Sequence, residues 1–342
     1  MLKKLFILFM LLVVIAIGGG IYAYQQLEAL AHQKITTTPE QFLIVERGTS
    51  SQKLAQLLEE QGIAKNTKFL PYLIRLHPEF SNFKAGVYSL DGVETIEGLL
   101  QHLNEGKEVQ LNVQFIEGKD FKNWREQLSN AKYLNQTLAD KSESEIAELL
   151  GIPHQKLEGW FAPDTYSYVP HSDDIEVLKR AYQKQQQNLD EAWQNRAENL
   201  PLANPYEMLI LASIVEKETG IASERPQVAS VFINRLREKW KLQTDPTVIY
   251  GMGDRYNGNI RKKDLLEPTP YNTYVIDGLP PTPIAMPSKA AIQAVSQPDT
   301  TPYFYFVADG TGGHKFSKTN AEHERAVRNW IQIERQRKAE KK

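Results

Sequence analysis

Between Leu5 and Leu27 the chain carries no charged residue. At 1.5 Å of helical rise per residue, that run is long enough to cross a hydrocarbon core of roughly 30 Å. Lys3 and Lys4 precede it and Glu28 is the first acid after it. Ala29-Leu30-Ala31 offers a small-x-small site, but secretory signals usually have apolar regions of only about 7–15 residues. The run therefore predicts an uncleaved signal-anchor over residues 5–27. The two lysines place residues 1–4 in the cytoplasm and everything after the anchor outside it.

Beyond the anchor the pattern changes to alternating helix and strand signals. Residues 28–40 read as a polar stalk. Gln41–Glu46 alternates as a short strand, and Leu54, Leu57 and Leu58 lie at helical spacing in a segment closed by Gly62. A second helix is predicted over Asn66–Arg75, a strand over Lys84–Leu90 and a helix over Thr95–Asn104. This βααβ unit, residues 41–110, resembles a small LysM-like glycan-binding module. From 111 to 330 the pattern is mixed. It predicts a strand at Val109–Ile116, a polar helical region over Asn135–Gly151, a long helix over Asp173–Asn199 and a helix over Tyr206–Thr219. Trp160, Phe161, Tyr166 and Tyr168 read as core. Gly278–Ser288 is too proline-dense for a helix or central strand. Ala308–Lys315 reads as a glycine-rich hairpin turn, and residues 331–342 close a charged C-terminal helix expected to stay solvated. The fold class is α+β, with one transmembrane helix, a small module and a larger domain.

Composition narrows the chemistry. The 342 residues hold 40 Lys+Arg and 42 Asp+Glu, so no basic excess points to nucleic acid. Cysteine is absent, which removes disulfides, thiolate metal sites and a Cys nucleophile. The seven histidines form no His-Glu-x-x-His pair, no serine elbow is present, and the glycine run lacks the Gly-Lys-Ser/Thr ending of a phosphate loop. No metal or cofactor is expected.

The helix Tyr206–Thr219 carries two acids in its last turn, Glu216 and Glu218. Glu218 follows Leu211, Ile214 and Val215 at helical spacing, so it extends the apolar stripe. Glu216 follows Ala212 and Ser213, a milder setting. A carboxyl on an apolar face at the negative end of a helix has a raised pKa, which suits a general acid. A salt bridge is the commoner fate of a helix-end Glu, and spacing alone leaves both readings open.

This helix resembles the catalytic core of the endolytic murein transglycosylase (YceG-like) family. So do Ala222–Arg225, Phe232–Leu236, Leu242–Gly251, Tyr271–Tyr274, Gly278–Ile284, Phe304–Ala308 and, upstream, Glu158–Tyr166. Met286 departs from the Asn found in many relatives. The resemblance spans nearly the whole chain and implies that Glu218, the second acid of Glu-x-Glu-Thr, is the catalytic residue. It also implies a peptidoglycan lytic transglycosylase of the inner membrane, single-pass, with a periplasmic catalytic domain. Such an enzyme cuts the β-1,4 bond between N-acetylmuramic acid and N-acetylglucosamine in nascent strands and leaves 1,6-anhydro ends. One acid/base group suffices for this, unlike the carboxylate pair of standard glycosidases. Gln243, Asp245, Tyr271, Asn272 and Tyr274 are candidate sugar contacts, since amides, carboxylates and aromatic faces suit sugars. Asp245 and Glu224 are candidate helpers, with capping or salt-bridging as the plainer role. Peptidoglycan synthases are expected partners. A wall-binding scaffold without turnover, or a hydrolase that adds water, are the alternatives.

Overall fold

The computed structural model describes residues 2–38 and 40–340. Met1, Pro39, Lys341 and Lys342, which fall in the expected cytoplasmic segment, stalk and tail, lie outside the described residues. The protein is mixed α+β and divides into two compact units, Met1–Leu111 and Asn112–Lys342.

The first unit opens with α1 (Leu2–Ala31). The most apolar 18 residues of its stretch Lys3–Ala31 have a mean hydropathy of 2.7, and the stretch is long and apolar enough to cross a membrane. The helix continues past the last uncharged residue. Leu30 and Ala31 are buried in the core of the first unit, and Leu27 and Ile35 pack against it. Residues 28–40 are thus not the free polar stalk that their composition suggests, because these apolar side chains give the segment a packing face. Ile35 and Thr36 also donate backbone N–H groups to the carbonyls of Glu94 (3.0 Å) and Ile63 (2.8 Å).

β1 (Phe42–Val45) pairs antiparallel with β2 (Gly86–Ser89), in the register Phe42↔Ser89 to Val45↔Gly86. Between them lie α2 (Ser51–Glu60) and α3 (Leu70–Leu76), the latter preceded by a 3-10 turn at Thr67–Phe69. Ser50 caps α2 by accepting the Lys53 N–H (3.2 Å), and Thr95 caps α4 (Ile96–Glu105) in the same way. Leu43, Leu54, Leu58, Leu70, Tyr88 and Leu99 are fully buried. At about 2 kcal/mol per buried leucine, this core carries most of what holds so small a unit together.

In the second unit β3 (Leu111–Phe115) pairs with β4 (Asp164–Tyr168). Phe115 stacks on Trp124 of α5 (Phe121–Ser129) at 4.2 Å. Trp160, Phe161, Tyr166 and Tyr168 are buried, as a core role requires. The expected helical region 135–151 is helical only in α6 (Glu143–Leu150). Its first part is instead a turn held by the Asp174 carboxylate, which accepts the Thr137 and Leu138 N–H groups (3.1 and 3.2 Å). α7 (Asp174–Gln194) ends five residues earlier than its periodicity suggests.

The centre of this unit is α8 (Pro205–Glu218), buried continuously from Met208 to Glu216. A helix apolar on all sides belongs inside a core, and α8 packs against α7, α9 (Arg225–Arg237), α10 (Asp245–Met252) and α11 (Lys289–Ser296). β5 (Tyr305–Ala308) and β6 (His314–Ser317) form an antiparallel hairpin around the expected glycine-rich turn. α12 (Asn320–Glu340) returns along it. The C-terminal helix is not simply solvated. His323, Ala326, Val327, Trp330 and Ile333 form a half-buried stripe, and Arg337 donates to the Gly310 carbonyl.

Candidate active site

α8 is set in place at both ends. Asn204 caps its start by accepting the Glu207 N–H (3.0 Å), and Pro205 occupies the first position, where a missing N–H costs nothing. At the other end Thr219 leaves helical geometry, and its hydroxyl accepts the Ile221 N–H (3.1 Å).

The two acids of the last turn meet different surroundings. Glu216, the milder position by spacing, is the more deeply buried. It accepts the Ser288 N–H (2.9 Å) and the Ser288 hydroxyl, and it pairs with Arg225 at 3.4 Å. Its burial comes from α11's cap and from α9, neither of which helical phase on α8 can show. Glu218 is half-buried and opens into a cavity of about 370 Å³. Its Oε1 accepts the Thr244 hydroxyl. Burial raises the Glu218 carboxyl to about 7 and Asp245 adds to the rise, while Thr244, His314 and Arg235 oppose it. A carboxyl at that value is partly protonated at neutral pH and can give and take a proton.

Thr244 is itself fixed by two neighbours. Its N–H donates to the Thr273 hydroxyl (3.1 Å), its carbonyl accepts the Thr247 hydroxyl (2.7 Å), and the Thr247 and Thr273 hydroxyls lie 2.8 Å apart. All three threonines are buried. This cluster fixes the Thr244 backbone, and the Thr244 hydroxyl donates to Glu218.

Gln243, Asp245 and Tyr274 line the same cavity as Glu218. Gln243 sits at φ 49° with its N–H on the Thr273 carbonyl (3.1 Å). Asp245, in the first turn of α10, accepts the Tyr274 hydroxyl at 2.7 Å. The other two candidates lie elsewhere. Tyr271 shares a hydrogen bond with Thr282 (2.9 Å) and meets the Tyr250 ring edge-on. Asn272 is fully buried; its amide donates to the Asp264 and Glu267 carbonyls (3.2 and 2.8 Å) and its oxygen accepts the Tyr274 N–H (3.0 Å). Asn272 holds the loop that presents Tyr274 and does not itself face the cavity.

Several lining residues escaped sequence reasoning. Arg235 is buried, with Nε on the Phe304 carbonyl (2.8 Å) and Nη1 on the Leu242 carbonyl (2.6 Å), its guanidinium 5.5 Å from the Tyr305 ring centroid. Tyr305 and Phe306 from β5, with Asn320 and His323 from α12, complete a wall. Glu224, the other candidate helper, accepts the His314 N–H (2.9 Å), contacts His314 Nδ1 (2.8 Å) and accepts the Thr219 hydroxyl (3.3 Å). It ties the end of α8 to β6. A further carboxyl, Glu158, lies outside the cavity; burial raises it to about 8, and it accepts the Phe121 N–H (3.1 Å) and the Tyr250 hydroxyl (3.2 Å). No group of His, Asp and Glu able to hold a metal occurs among the described residues.

Residues 43–329 match the YceG-like family. An endolytic murein transglycosylase of Bacillus subtilis (strain 168) is 29% identical over 334 residues, covering 92% of this chain and 91% of that protein. One from Streptococcus pneumoniae serotype 2 (strain D39) is 26% identical over 361 residues, covering 95% of this chain and 65% of that longer protein. The crystal structure of a YceG-like protein from Listeria monocytogenes superimposes with a TM-score of 0.53 at 26% identity, covering 86% of this chain and 99% of that one.

Proposed function

The chain belongs to the YceG-like family, and from that premise we propose that Glu218 cuts glycan strands of peptidoglycan from a membrane-tethered position. The relatives from Bacillus subtilis and Streptococcus pneumoniae are endolytic murein transglycosylases, and this protein is a peptidoglycan lytic transglycosylase. The observation that carries the assignment to Glu218 is its carboxyl: raised to about 7, held by Thr244 and facing a cavity.

In the proposed reaction the strand crosses the cavity with the MurNAc–GlcNAc bond at Glu218. Protonated Glu218 gives its proton to the glycosidic oxygen as the bond to the muramyl C1 breaks, and GlcNAc leaves with a free 4-hydroxyl. The muramyl C6 hydroxyl then attacks C1 and passes its proton to the Glu218 carboxylate. That forms the 1,6-anhydro ring, restores the acid and adds no water. A single group acts first as acid and then as base, which calls for a pKa near the working pH. The muramyl N-acetyl group supports the intervening oxocarbenium-like charge, and the Arg235 cation favours the Glu218 carboxylate that the second step needs. Gln243, Asp245 and Tyr274 serve as sugar contacts.

α1 is the anchor in this reading, with the rest of the first unit and the second unit outside the cytoplasmic membrane. The βααβ arrangement of β1, α2, α3 and β2 supports a LysM-like glycan-binding module over 41–110, ahead of a catalytic domain over 111–330. Cuts made close to the bilayer would end strand elongation, which makes peptidoglycan synthases the expected partners.

Digestion of uncrosslinked glycan strands followed by mass spectrometry of the new ends tests the assignment. Anhydro-muramyl ends are expected. Reducing muramyl ends would mean hydrolysis, and intact strands a binding protein.

A further inference from the structure

The first unit carries an exposed apolar stripe that its own core does not use. Thr67, Leu70, Leu73 and Ile74, on the 3-10 turn and α3, are buried in that core. Phe69, Tyr72 and Leu76 are 37%, 61% and 49% exposed. Their spacing of three and four residues puts them on one helical face. Lys65, Lys68 and Arg75 are exposed around them, and no Asp or Glu occurs from Gln61 to Pro78. The Lys68 ammonium lies 5.1 Å from the Phe69 ring centroid.

α1 sets the height of this face. About 20 residues cross a hydrocarbon core, which takes the apolar run from Leu5 to the neighbourhood of Tyr24. From Tyr24 to Ala31 the helix rises about 10 Å more. α1 becomes partly buried at Gln26 and enters the core at Leu30 and Ala31, and α3 and its preceding turn pack on it. The headgroup layer beyond the hydrocarbon is about 5–8 Å deep on each side. Whatever packs on α1 between Gln26 and Ala31 therefore stands within or just above that layer. Aromatic rings and Lys/Arg side chains concentrate at that depth, and an apolar stripe flanked by cations matches an anionic lipid surface.

We propose that the Phe69–Tyr72–Leu76 face rests in the headgroup layer of the outer leaflet, where Lys65, Lys68 and Arg75 engage anionic phospholipid. This second contact, beside the anchor itself, fixes the tilt of the first unit over the membrane. The inference rests on α1 being the anchor, and the test separates the two.

Because the chain has no cysteine, single thiols can be introduced cleanly into the full-length protein. Met10→Cys, Tyr72→Cys and Leu76→Cys would each carry an NBD label in vesicles of phosphatidylethanolamine and phosphatidylglycerol. Lipids bearing a nitroxide on the headgroup or on the acyl chain supply the quenchers. The Met10 label should respond to the acyl-chain nitroxide, and the Tyr72 and Leu76 labels about twofold to the headgroup nitroxide. Replacing Lys65, Lys68 and Arg75 with glutamate should abolish headgroup quenching at Tyr72 and leave Met10 unchanged. Quenching at Met10 with none at Tyr72 and Leu76 would overturn the lipid contact and leave the anchor standing. No quenching at Met10 would overturn the anchor and this inference with it. A Tyr72 label shielded from aqueous iodide yet untouched by lipid nitroxide would assign the face to a protein and overturn the proposal.

Discussion

Glu216 and Glu218 stand two residues apart in the last turn of the same helix, yet they occupy opposite kinds of surroundings. Glu216 is 8% exposed and its carboxylate is answered by Arg225, by the Ser288 N–H and by the Ser288 hydroxyl. Glu218 is less buried, receives the Thr244 hydroxyl, and is the one whose carboxyl rises to about 7. Depth alone thus does not pick out the acid proposed to react. What separates the two is compensation. A buried charge with a cation and two donors is a structural joint, whereas one with a single hydroxyl beside an open cavity keeps its proton exchangeable.

That contrast can be broken in four ways. Glu218→Gln should lower the rate of strand cleavage about a thousandfold, in line with loss of a general acid, with circular dichroism and strand binding preserved. Full activity in that variant would remove the acid assignment. The neighbouring change, Glu216→Gln, should act on stability instead. Leaving Arg225 buried without its counter-charge costs about 3–5 kcal/mol, read as a fall in denaturant midpoint, while the cleavage rate per folded molecule stays close to wild type. Thr244→Val keeps the shape and deletes the hydroxyl, and is expected to reduce kcat about 10- to 100-fold with KM little changed. Thr244 favours the charged form of Glu218, so its loss lifts that pKa above about 7. The alkaline limb of the kcat profile should move to higher pH, and Thr244→Ser should restore it. The smallest effect concerns stability. The folded-state pKa of Glu218 lies above that of an unfolded glutamate, so the native state binds the proton more tightly between pH 4.5 and about 7. Stability from this group is present below that window and is lost as pH rises through it. Glu218→Gln should therefore be more stable than wild type at pH 8 and close to it at pH 4.

Helical phase on α8 sets Glu218 apart from Glu216, because the apolar stripe of Leu211, Ile214 and Val215 leads to it, but it leaves both catalysis and a salt bridge open. The same reasoning misjudged Glu216, whose partner Ser288 lies 72 residues away. Thr244 could not stand out, since its orientation depends on Thr247 and Thr273, and a lone threonine in a loop has no periodic signal. Residue type marks Tyr271 and Asn272, and it describes what a side chain can bind and not where a loop points it. The α+β succession and the buried aromatics around Trp160 were legible because period and composition agree there. The polar composition of the stalk and of the C-terminal helix hides one shared feature: a few apolar residues among polar ones still form a face when three or four positions apart.

The C-terminal helix has a consequence for how the protein can be shortened. Asn320 and His323 in its first turn contribute to the cavity wall. Farther along, Ile333 sits so close to Gly310 that a Cβ built there would lie 2.9 Å from it, and Gly310 holds φ 87°. The helix is a lintel pinned at its far end and bearing on the doorway at its near end. A chain truncated after Ser317 would keep Glu218 and Thr244 but lose one side of the opening, so the Glu218 carboxyl would face open solvent rather than a shaped cleft.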